Sequence, residues 1–188
     1  MKEAKKIKAL IKKLHKIYKK GYMPTREKDK YNAFHAITIN CYGHACLNLS
    51  NSDLHKLEDY KDELASFILD FQGIGSLSNH INEAAKRLKK VGLKLEKSSL
   101  SEDIKKNQWK IAFYVRDGNG YIKSDYHYMI QLNDGKWASK MGFCENIDTF
   151  DKLPTTCYES CYGEYNLIGV YKITNPYVKL HNEEDMEM

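Results

Sequence analysis

The stretch Asn40-Cys41-Tyr42-Gly43-His44-Ala45-Cys46 sets a cysteine directly behind a residue type that caps helices. An asparagine at the N-cap accepts a hydrogen bond from an otherwise unsatisfied N–H of the first turn. A cysteine in that turn lies at the positive end of the helix dipole, where free N–H groups favour thiolate over thiol. Cys41 is therefore a candidate nucleophile, and a nucleophile needs a base. Far downstream, Asp125-Tyr126-His127-Tyr128-Met129-Ile130-Gln131-Leu132 reads as a strand from its aromatic and β-branched content. Alternation along a strand puts Asp125, His127, Met129 and Gln131 on one face and Tyr126, Tyr128, Ile130 and Leu132 on the other. His127 would take the proton from Cys41 and later return it to the leaving group. A third group must orient the imidazole. The Asn133-Asp134-Gly135 turn brings the next strand back alongside, so that Ser139 can meet His127; Asp125 and Asn146 are the other candidates. His44, three residues past Cys41, falls on roughly the same side of the helix and lines the site.

The elements that must position these residues divide into helices first and strands second. Residues 2–20 carry Ile7, Leu10, Ile11, Leu14, Ile17 and Tyr18 at three- and four-residue spacing, one face of an amphipathic helix. Nine lysines against Glu3 give this segment a charge of +8 within a chain of +5, so the remainder is mildly acidic. We read 1–22 as a basic helical arm, 23–180 as the domain and 181–188 as an acidic, solvated tail. The arm either packs its apolar stripe on the domain or meets an acidic partner, nucleic acid or an anionic surface. A second helix is predicted from a cap at Ser52 or Asp53 through Phe71, and a third from Ser78 to a stop at Gly92. The Gly73-Ile74-Gly75 pair reads as a turn, too weak a pattern for a phosphate cradle. Strands are predicted over 109–115, 121–132, 136–141 and 167–174, with Asp117-Gly118-Asn119-Gly120 and Asn133-Asp134-Gly135 as hairpin turns. The fold class that follows is α+β, N-terminal helices packed on an antiparallel meander.

On these residues the chain resembles the papain-like cysteine hydrolases in the broad sense. Asn40-Cys41-Tyr42, Asp125-Tyr126-His127-Tyr128 and Gly135-Lys136-Trp137-Ala138-Ser139-Lys140-Met141-Gly142 are similar to an N-C-Y…D-[YF]-H…W-S-H-K-P-G pattern found in small bacterial and viral proteins of that superfamily. The resemblance implies a papain-like fold and a thiol peptidase or amidase acting on a peptide, amide or isopeptide bond. It also implies Cys41 as nucleophile, His127 as base, and a backbone N–H near Cys41, beside Asn40, holding the oxyanion. Two departures stand out: Ser139 occupies the place of a histidine, and Met141 that of a proline. The alternative is a non-catalytic papain-like binding or inhibitor protein that acts through its basic arm or a tyrosine-rich surface.

Composition narrows the rest. Five cysteines, without the apolar centre of a signal peptide in the lysine-rich start, predict reduced thiols and a cytoplasmic location. Cys41, His44 and Cys46, or Cys144, Cys157 and Cys161, lack the paired spacing of zinc sites, so neither a metal nor another cofactor is expected. No run approaches the roughly twenty apolar residues of a membrane span.

Overall fold

Its lysines do not keep helix α1 (Lys2–Lys19) off the domain. In the computed structural model, which describes residues 2–28, 31–69, 77–118, 124–143, 145–159 and 163–179, the apolar stripe of α1 buries Leu10, Leu14 and Tyr18 completely. Tyr18 donates its hydroxyl to the Leu47 carbonyl at 2.5 Å. Asn175 Nδ2 donates to the carbonyls of Tyr18 and Tyr22 at 3.0 and 2.7 Å, tying the end of α1 to the chain that follows the last strand. Gly21, at φ +80°, ends the helix in a conformation that favours glycine. Of the two expectations for the basic helix, the structure shows the packed one: α1 lays its apolar stripe on the domain and shares its core. The area that Leu10, Leu14 and Tyr18 remove from water outweighs the solvation of the lysine face, which stays outside.

After α1 come α2 (Ala33–Thr38), a helical segment opened by Cys41 and Tyr42 that widens into a π-turn over Gly43–Leu47, α3 (Asn51–Lys56), a 3-10 turn (Glu58–Tyr60), α4 (Lys61–Leu69) and α5 (Leu77–Lys90). The π-turn stops at Asn48, whose φ is +50°. The single helix expected up to Phe71 is thus broken at Leu57, and its cap is Ser50. That hydroxyl accepts from the Asp53 N–H at 3.1 Å and donates to the Asp53 carboxylate at 2.6 Å, so the helix starts ahead of the predicted caps at Ser52 or Asp53.

The strands are β1 (Lys94–Ser98), β2 (Gln108–Arg116), β3 (Asp125–Gln131), β4 (Trp137–Lys140), β5 (Ile147–Phe150), β6 (Thr156–Glu159) and β7 (Gly163–Thr174). They form one antiparallel sheet in the order β1-β7-β2-β3-β4-β5, with β6 on β7. β2 to β4 follow the expected meander, and β5 extends it by one strand. β7 then returns to pair with both β1 and β2, which places the C-terminal strand in the interior of the sheet. β1, β5 and β6 escaped the sequence reading because they are short and carry charged or hydroxyl residues instead of an aromatic run. The molecule is α+β.

Each face of the sheet has its own apolar cluster. The helices pack on the face bearing Trp109, Phe113, Tyr126, Tyr128 and Ile130. Trp109 Nε1 donates to the Ala45 carbonyl at 3.0 Å, locking the π-turn to β2. The opposite face gathers Tyr114, Met129, Trp137, Cys157, Tyr165 and Val170. Much of the tyrosine is core material here: Tyr18, Tyr42, Tyr114, Tyr126, Tyr128 and Tyr165 are all buried. The Gly73–Gly75 loop, Cys161 and the acidic tail lie outside the described residues.

Candidate functional site

The start of the Cys41 segment has the local geometry that its sequence suggests. Asn40 Oδ1 accepts from the Gly43 N–H at 2.9 Å, and the His44 N–H donates to the Asn40 carbonyl at 2.8 Å. Asn40 Nδ2 reaches the Ile68 carbonyl at 3.3 Å, which Tyr126 also meets with its hydroxyl at 3.2 Å. One carbonyl at the end of α4 thus fixes both the cap and the tyrosine face of β3. Cys41 itself is 5 % exposed and belongs to the helix-side core. Its neighbour Cys46 is fully buried, and burial, then the nearby Cys41, pushes the Cys46 thiol well up. His44 is buried as well, with Tyr31 edge-on to its ring at 5.7 Å.

His127 stands on the other side of the sheet. Its ring lies 6.2 Å from that of Tyr114 and 6.0 Å from that of Tyr165, both members of the opposite cluster. Tyr126 and Tyr128, which flank it in sequence, point to the helices, and Tyr42 packs edge-on against Tyr128 at 5.7 Å. The strand alternation is thus as the sequence implies, but the Cys41 segment packs on the tyrosine face and not on the histidine face. The sheet backbone separates thiol from imidazole.

Ser139 does meet His127. β3 and β4 pair Met129 with Ser139, and the Ser139 hydroxyl and His127 Nε2 share a hydrogen bond of 2.8 Å. Both residues are almost completely buried, and burial pulls the His127 pKa down to about 4, so the imidazole is neutral at pH 7. Asp125 turns elsewhere: its carboxylate accepts from the Tyr165 hydroxyl at 2.8 Å and lies 3.9 Å from Arg116. Asn146 is exposed beyond β4.

Residues 38–169, more than half of the chain, match the family model described as a domain of unknown function, DUF7689. The chain belongs to this family. No curated protein matches it. The DUF7689 region takes in Asn40, Cys41, His127 and Ser139 but begins after α1. Among the described residues of this DUF7689 chain, no group of three or more His, Cys, Asp or Glu side chains is placed to hold a metal ion. No described helix is long and apolar enough to cross a membrane.

A concavity lies between α1 and α3, away from the cysteine and histidine motifs. It measures about 480 Å³ and is lined by Lys13, Lys16, Ile17, Lys20, Gly21, Tyr22, Asp53, Lys56 and Leu57. Asp53 is already engaged by Ser50 and by Lys56, the latter at 3.1 Å. Lys13 and Lys16 on α1 and Lys20 just past its end recur at three- and four-residue spacing, a signal present in the sequence. Lys56 comes from a distant segment and no local pattern announces its arrival.

Proposed function

We propose that this chain is a binding protein on a papain-like scaffold that recognises an acidic partner through the lysine face of α1, and not a working thiol hydrolase. The scaffold part rests on the resemblance of the Asn40-Cys41-Tyr42, Asp125-Tyr126-His127 and Trp137-to-Gly142 motifs together with the α+β order. The observation that carries the binding part is the concavity between α1 and α3, where four lysines surround a single, already engaged carboxylate. Concentrated like charge around a concave, low-dielectric wall attracts counter-charge. Against hydrolysis stands the placement of Cys41 and His127 on opposite faces of β3.

The test is a panel of labelled acidic probes: ADP, a single-stranded oligonucleotide and an acidic peptide. The reading expects at least one to bind with an affinity that falls with salt and that is lost in Lys13→Gln/Lys16→Gln/Lys20→Gln. If none binds in that manner, the reading fails.

The hydrolase reading keeps one favourable feature, the Asn40-capped start at Cys41. It predicts a protein or peptide substrate and a Cys41 that reacts with iodoacetamide at neutral pH faster than Cys46 and Cys157, with that advantage lost in His127→Ala. Our reading predicts slow Cys41 labelling and no effect of His127→Ala on its rate in the folded protein.

A further inference from the structure

We infer that the concavity between α1 and α3 is a binding site for a small phosphorylated ligand with an aromatic or apolar group, of the nucleotide class. This rests on the binding reading above and narrows it to one ligand chemistry. Lys13 and Lys16 from α1, with Lys20 just past its end, line the site, and among the described residues none of the three has a carboxylate partner. Lys13 instead lies 4.4 Å over the Tyr60 ring, which holds its ammonium group near the mouth without neutralising it. Like charges three and four apart on a helix oppose its formation, so these lysines are tolerated most readily when an anion sits among them. A row of solvated lysines on a convex face would carry no such meaning. Here the same ammonium groups rim a hollow with an apolar wall.

That wall decides the class of anion. Ile17, Leu57 and the ring of Tyr22 supply it, and Leu57 is fixed in the core. Tyr22 is anchored by donating its hydroxyl to the Asn48 carbonyl at 3.0 Å. Burial, then the nearby Asp53 carboxylate, raises its pKa, so the phenol stays protonated and neutral. An inorganic anion would use only the lysines, whereas a nucleotide would place phosphate among them and lay its base against the wall. The volume of about 480 Å³ falls in the range of small-molecule sites and is too small to house a folded macromolecular partner.

The experiment measures binding of ADP, inorganic pyrophosphate and a single-stranded oligonucleotide to the full chain by titration calorimetry. ADP is expected to bind more tightly than pyrophosphate by about tenfold. Lys16→Gln/Lys20→Gln should weaken ADP about tenfold or more. Lys8→Gln/Lys19→Gln removes the same charge from exposed positions outside the site and should change it less than about twofold. Tyr22→Leu should erase the preference for ADP over pyrophosphate while leaving pyrophosphate binding in place, and circular dichroism verifies that each variant is folded. Equal losses in the two double-lysine variants, or ADP no tighter than pyrophosphate, overturn the site. Oligonucleotide binding without ADP binding also overturns it, yet leaves the broader reading standing, whereas silence from every acidic probe removes both.

Discussion

His127 and Ser139 form a closed pair, imidazole nitrogen to hydroxyl at 2.8 Å, on the face of the sheet that the helices do not cover. Because both side chains are buried, the bond behaves as a structural tie between β3 and β4. Ser139→Ala should leave a buried ring nitrogen without its partner, at a cost of about 1–3 kcal/mol in urea unfolding. A double-mutant cycle with His127→Ala should return a coupling of at least about 0.5 kcal/mol. Strict additivity would show that the bond contributes nothing.

Burial of His127 also makes stability depend on pH. Its pKa is about 4 in the folded chain and near 6.5 when exposed, so between these values the unfolded chain binds more protons than the folded one. The contribution is fully present above about pH 6.5 and is lost as pH falls toward 4. Below that it changes no further. Over the window the loss is on the order of a few kcal/mol. Unfolding free energies measured between pH 4 and 7 should therefore slope less in His127→Gln than in the parent; identical slopes would assign the pH dependence to other groups.

Asn40 does two things at once, capping Gly43 and holding the Ile68 carbonyl. Asn40→Ala removes both contacts and should cost about 1–2 kcal/mol. Asn40→Asp keeps an acceptor for the Gly43 N–H but loses the donor to Ile68, and should fall between the two in thermal unfolding. An aspartate variant no better than alanine would mean that the Ile68 contact carries the effect.

Deleting residues 1–20 should abolish cooperative unfolding. The deletion strips Leu10, Leu14 and Tyr18 from the core, together with the Tyr18 bond to Leu47. Burying such apolar side chains stabilises by about 1.5–3 kcal/mol each, comparable in sum to the whole stability of a domain this size. A truncated chain that still melts in one sharp transition would show that the domain folds without α1. For the same reason, charge substitutions and not truncation are the proper probe of its lysines.

Much of this molecule is legible one segment at a time. The amphipathic period of α1, the cap at Asn40, the turn at Asn133-Asp134-Gly135 and the alternation of β3 are set by neighbours within a few residues, and each is present in the fold. The pairing of Ser139 with His127 was within reach too, since a tight hairpin fixes its own register. Other features depend on residues far apart in the chain. β7 inserts between β1 and β2 because partners such as Trp109 and Ile173 pair across the sheet, which no local pattern encodes. The face of β3 that receives the Cys41 segment was expected to be the polar row bearing His127, whereas apolar burial chose the tyrosines. The sequence by itself determined that Cys41 begins a capped helical turn and that His127 opposes Tyr126 and Tyr128. Only tertiary packing decided that thiol and imidazole lie across the sheet from one another, and that Lys56 joins the lysines of α1 around a hollow.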